Sequence, residues 1–167
     1  MIIETKRLFL REMKENDLDM LFKVLGDKEN MRHYPYVFDK VHVQRWIKNN
    51  IERYRVFGFG LWAVCLKESG EMIGDCGITM QNINGTILPE IGYHIRADKQ
   101  HNGYAKEAAH SVKDWGFVHT PFKILYSYMK ADNIASAKTA EAMGMHITDT
   151  YLDDMYDKVL VYSISRN

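Results

Sequence analysis

The sequence predicts an α+β protein: a mixed α/β sandwich whose mostly antiparallel sheet of about six to seven strands carries helices on both faces. Three observations lead there. Strand-like runs at 61–66, 72–79 and 86–95 are separated by the turn residues Gly70 and Asn84-Gly85, which makes an antiparallel meander. A strand–helix–strand unit over 86–129 demands one parallel pair with a right-handed crossover. Segments of helical period stand before, within and after the strands, giving the order β-α-α-β-β-β-α-β-α-β-β.

Each element has a local reason. Leu8-Phe9-Leu10-Arg11 reads as a first strand. Asp17 is placed to cap a helix with Leu18, Leu21, Phe22 and Leu25 on one face. The aromatic stretch 27–39 reads as a loop. Asp39 is placed to cap a second helix that turns Val43, Ile47, Ile51 and Tyr54 inward. After the meander, a helix starts at Tyr104 and packs closely through Ala105, Ala108, Ala109, Val112 and Gly116. Residues 124–129 form a buried strand. A helix from Asn133 to Met143 is ended by Gly144, and strands 145–151 and 158–165 close the chain. Pro35, Pro89 and Pro121 are each expected at an element boundary.

Bulk properties narrow the function. At 167 residues, one domain over 1–167 with one core is the simplest organisation. The 22 basic and 22 acidic residues cancel, which argues against nucleic acid or an anionic membrane as the main partner. No apolar run approaches the ~20 residues that span a bilayer, and the N-terminus lacks the order of a signal peptide, so a cytoplasmic protein is the default. Cys65 and Cys76 are expected as reduced, buried thiols. The seven histidines show no ligand spacing, so no metal site is expected.

Gln100-His101-Asn102-Gly103-Tyr104-Ala105 is the stretch that carries chemistry. A strand, a short polar loop with one glycine and a helix start form a phosphate-holding device. Unpaired N–H groups and the positive end of the helix dipole point outward there. A plain tight turn is the competing reading. Lys106, Lys99 and Arg96 are candidates to add charge.

This order and these residues resemble the GNAT superfamily of acyl-CoA-dependent N-acetyltransferases. The family's pyrophosphate loop, Q/R-x-x-G-x-G/A, reads here Gln100-x-x-Gly103-x-Ala105. It follows Glu90-Ile91-Gly92-Tyr93 and precedes Asn133-x-x-Ser136 and Met143-Gly144-Met145. Within the superfamily the chain looks like the ribosomal-protein N-terminal acetyltransferase (Rim-type) branch. Thr5-Lys6-Arg7-Leu8-Phe9-Leu10-Arg11, the segment 26–31 and the closing Tyr156-Asp157-Lys158-Val159-Leu160-Val161-Tyr162 all match it.

The resemblance implies acetyl-CoA as donor and a primary amine, small or at a protein N-terminus, as acceptor. It implies that residues Gln100, His101, Asn102, Gly103, Tyr104 and Ala105 hold the pyrophosphate, with Lys106 either adding charge beside it or standing as a solvated surface residue. The backbone of His94, Ile95 and Arg96 would pair with pantetheine in a slot where strands 86–95 and 124–129 splay apart. Gly92 there is either a bulge, a close approach or an ordinary buried glycine. Asn133 would reach the pantetheine arm, or act as an N-cap, or both. Ser136 is the candidate donor to the leaving thiolate. The tyrosine that many members carry four residues later is replaced by Ala140.

For the base, Glu90, His94 and a water relay all stay open. Tyr34, Tyr36 and Phe38 are the candidate acceptor wall, with Tyr128 and Tyr151 either joining it or belonging to the core. Pairing of the final strands across a homodimer is open. The competing function class is a non-catalytic acyl-CoA-binding sensor or interaction module that retains the cofactor loop.

Overall fold

The computed structural model describes residues 2–155 and 157–166. Tyr156, which opens the closing motif, lies outside the described residues. Eight strands form one sheet: β1 Ile3–Glu4, β2 Leu8–Arg11, β3 Leu61–Leu66, β4 Met72–Ile83, β5 Thr86–Ile95, β6 Ile124–Lys130, β7 His146–Leu152 and β8 Lys158–Ser165. Four α-helices accompany them: α1 Leu18–Leu25, α2 Lys40–Phe57, α3 Tyr104–His119 and α4 Ile134–Ala142. The class is the expected one. The count exceeds the expected six to seven strands by the two-residue β1, too short to leave a periodic signal.

The sheet order is β1-β2-β3-β4-β5-β6-β8-β7. Every neighbouring pair is antiparallel except β5–β6, which is parallel and keeps a single register pair, Glu90↔Tyr126. Beyond that pair the strands part. Pro89 lies inside β5, opposite Met80, rather than at a boundary. It has no N–H to give to a ladder.

Two cores cover the two faces. Ile91, Ile95 and Leu125 pack with Ala108, Ala109 and Val112 of α3 and Ala137 and Ala140 of α4. On the other face Leu61, Ala63 and Met72 pack with Leu21, Val24 and Leu25 of α1 and Val43 and Ile47 of α2. Gly116 lets α3 sit tight, since a Cβ there would come within 2.6 Å of Ile78 Cδ1. Cys65 and Cys76 are both buried and free.

Two helix expectations need correction. Asp17 does not cap α1 with its side chain. Its carboxylate takes both Arg11 nitrogens at 2.8 Å and the Lys14 N–H at 2.7 Å, and a charged fork outcompetes a neutral cap. Ile51 is exposed, and the inward position goes to Asn50, whose Oδ1 accepts the Leu61 N–H at 2.9 Å. Asp39 does cap α2, accepting the His42 N–H. The Asn84-Gly85 turn has positive φ at both residues, 49° and 83°, as a two-residue hairpin loop requires.

Candidate active site

A cleft of about 640 Å³ opens where β5 and β6 part, within the roughly 300–1,000 Å³ range of small-molecule sites. It joins the two faces of the sheet. Tyr93, Tyr104, Asn133 and Ser136 line it from the α3/α4 side, and Tyr34 and His94 from the α1/α2 side.

The loop 100–105 leads from β5 into α3 with an unusual backbone. His101 and Gly103 are left-handed at φ 61° and 78°, so successive N–H groups turn toward one concavity. No side chain caps the start of α3, which leaves its first N–H groups free for a ligand. Gln100, His101, Gly103, Tyr104, Ala105 and Lys106 line the cleft, with Lys99 beside them. Asn102 does not: its side chain braces the loop by donating to the carbonyls of Lys99 and Gln100 at 3.2 and 2.8 Å.

Arg7 is a support the sequence reading missed. Its guanidinium pairs with Glu107 at 2.7 Å, donates to the Asn102 carbonyl at 2.9 Å and lies 4.5 Å above the Tyr104 ring. It thus removes the Glu107 charge from the mouth of the helix and fixes the loop. A lone arginine in an N-terminal strand motif gives no local sign of this contact, which is about a hundred residues away in sequence.

The strand end also needs correction. Arg96 N donates to Ile73 O, so that group belongs to β4. By alternation His94 also turns its backbone to β4, and Tyr93 and Ile95 face the slot. Ile95 O is shared by Asn30 Nδ2 and Gln100 Nε2 at 3.0 and 2.9 Å. The Arg96 guanidinium is held by Glu71 and Asp98 rather than aimed at the cleft.

On α4, Asn133 is the N-cap, accepting the Ser136 N–H at 3.2 Å. The Tyr93 hydroxyl donates to Ser136 O at 2.8 Å and stands 3.1 Å from Ser136 Oγ. A tyrosine therefore does sit beside this serine, supplied by β5 rather than by the position of Ala140.

The opposite face of β5 carries Glu90, Gly92 and His94. The β4–β5 register runs unbroken through them, so Gly92 is no bulge. Its missing side chain makes room for Glu90: a Cβ would stand 3.0 Å from Glu90 Oε2. Their cross-strand partners are Thr79, Gly77 and Asp75. Thus two polar rungs, Thr79/Glu90 and Asp75/His94, flank an empty glycine rung.

The electrostatics of these rungs differ. Burial pushes the Glu90 carboxyl up to about 7, against a lowering by His94 and by the weak Thr79 hydrogen bond. Burial works against charge on His94 too, but the Asp75 carboxylate outweighs it and the net shift is upward. Asp75 is fully buried and accepts from Trp46 Nε1 at 2.9 Å, with His94 Nδ1 at 2.7 Å on its other oxygen. Neither Asp75 nor Trp46 was singled out from sequence, although a lone aspartate in an apolar strand is a signal in itself, because buried aspartates need partners.

The aromatic loop is only partly a wall. Tyr34 packs 5.2 Å from the His94 ring. It is 42% exposed, yet its hydroxyl end lies among Glu90, Asp75, Tyr93 and Tyr128, and that buried setting raises its pKa. Tyr36 and Phe38 stack on each other outside the cleft, and Phe38 braces Trp46 at 5.4 Å. Glu90 does not line the cleft. It sits two rungs along the strand from His94.

Known proteins share this architecture. The acetyltransferase (GNAT) domain family matches residues 7–146. An uncharacterized Bacillus subtilis protein, YkkB, is 35% identical over 147 residues, covering 87% of this chain and 86% of that one. A GNAT-family acetyltransferase from Bacillus anthracis superposes with a TM-score of 0.85 at 20% identity, covering 99% of this chain and 98% of that one. RimL, a ribosomal-protein alpha-N acetyltransferase solved in complex with coenzyme A, superposes with a TM-score of 0.81 at 19% identity, covering 98% and 97%. The chain belongs to the GNAT acetyltransferase domain family.

Proposed function

We propose that the protein is an acetyl-CoA-dependent N-acetyltransferase whose acceptor is a primary amine, on a small molecule or a protein N-terminus. One observation carries the reading. A single cleft connects an uncapped helix start on one side of the sheet to a buried acid–base face on the other. The loop and the first turn of α3 fit a pyrophosphate, the slot-side backbone of Tyr93 and Ile95 fits an amide-bearing arm, and Asn133 and Ser136 stand at its end.

Bound there, acetyl-CoA supplies an activated acetyl group as a thioester. A neutral amine forms the new nitrogen–carbon bond as the carbon–sulfur bond breaks. His94, which lines the cleft, takes the proton that the amine loses. The Ser136 hydroxyl, itself beside the Tyr93 hydroxyl, donates a hydrogen bond to the departing thiolate. Glu90, outside the cleft wall, tunes His94 by its charge.

A thermal-shift titration tests the donor end. Acetyl-CoA at ~100 times Kd should stabilise the protein by about 2.7 kcal/mol, a shift of roughly 5–10 °C, with no comparable shift from NAD or ATP. The reverse ranking would overturn this reading.

A further inference from the structure

We propose that Asp75 is a positioning residue that fixes His94 as the catalytic base, forming with Trp46 a buried relay from α2 through β4 to the cleft. This rests on the transferase reading above and deepens it. Trp46 Nε1 has a proton to give and no lone pair to offer, so the 2.9 Å contact fixes Asp75 as acceptor. The other oxygen, 2.7 Å from His94 Nδ1, then accepts Nδ1–H. The neutral imidazole is thereby held with its lone pair on Nε2, and His94 lines the cleft. Asp75 and His94 are direct cross-strand partners, so the sheet register itself sets the pairing.

The packing around the ring limits its freedom. Tyr34 lies 5.2 Å away on one side and Trp46 6.0 Å away, edge-on. The groups that face His94 are Asp75 from β4, Glu90 from its own strand, Tyr34 from the loop before α2, and Trp46 from α2. Among these only Asp75 touches a ring nitrogen. In the reaction Nε2 takes the proton from the attacking amine, the imidazolium is stabilised by the adjacent carboxylate, and the proton leaves to water with product. Asp75 stays ionised throughout.

Histidine-labelled ¹⁵N NMR of the wild-type protein decides the tautomer without any acceptor. Above its titration midpoint the His94 ring should be protonated at Nδ1; an Nε2–H ring would overturn the proposal even if every variant failed to fold. In Asp75→Asn the His94 midpoint should fall below its ordinary value, because the buried ring loses its carboxylate. With any amine that turns over, the same variant should lower kcat on the order of 100-fold while leaving the acetyl-CoA thermal shift intact. An unchanged midpoint or an unchanged kcat would contradict the relay. Loss of the acetyl-CoA shift in wild type would instead sink the transferase reading and leave the tautomer result standing.

Discussion

Glu90 and Asp75 are two carboxylates on one sheet face with opposite surroundings. Asp75 has two good donors and sits fully buried. Among the described residues Glu90 has only the Thr79 hydroxyl at 3.5 Å, and its carboxyl rises to about 7. The sign follows from linkage. A folded-state value above the unfolded one favours the protonated form, so stability is full below about pH 4.5 and is lost as pH rises through 7. Glu90→Gln should therefore raise Tm at pH 8, by a stability on the order of 2–3 kcal/mol, and leave Tm at pH 4 nearly unchanged. Calorimetry at the two pH values checks this; an equal effect at both would remove the buried charge as the cause. At this scale the sequence offered Glu90 and His94 as candidate bases. Arg7 stayed hidden because its partners come from a distant segment, which no local pattern encodes, and Asp75 showed only as a lone carboxylate in an apolar strand, with nothing to name its partners.

The glycine rung between the polar pairs is a property of elements. Gly77 is forced by the approach of β3: a Cβ would lie 1.9 Å from Gly60 O, a backbone atom with nowhere to go. Gly74 is confined in the same way, 2.0 Å from His94 O. Gly77→Ala should destabilise the protein by about 3 kcal/mol or more through backbone displacement. Urea unfolding measures it, and a loss under about 1 kcal/mol would show that β3 and β4 can part freely. Most elements were legible because their signals are local: the Asp39 cap, the Asn84-Gly85 turn, and Gly144 after α4 at φ 87°. Asp17 and Ile51 were misread because a nearby arginine and a buried asparagine outbid the local rule. Tyr36 and Phe38 were assigned to a wall they only support, since aromatic content does not tell which side of a loop faces a cleft.

The whole molecule turns on one departure from regular pairing. Six neighbouring strand pairs zip together antiparallel, and β5–β6 meet at one residue pair. That opening converts a sheet into a passage with the loop 100–105 and the uncapped start of α3 at one end and the Asp75–His94 pair at the other. The passage was readable as a whole, from the strand–loop–helix unit and its resemblance to a known family. The Asp75–His94 pair was not, because it depends on cross-strand register rather than on any contiguous motif. Among the described residues no helix is long and apolar enough to cross a membrane. The central claim is transfer, and its most direct measurement is release of free CoA thiol from acetyl-CoA, followed with and without small primary amines and peptides bearing a free N-terminus, at pH 8. Amine-dependent thiol release, matched one to one by acetylated amine in the mass spectrum, is the expected result. Saturable acetyl-CoA binding with no release above background for either acceptor class would contradict it and would leave an acyl-CoA sensor.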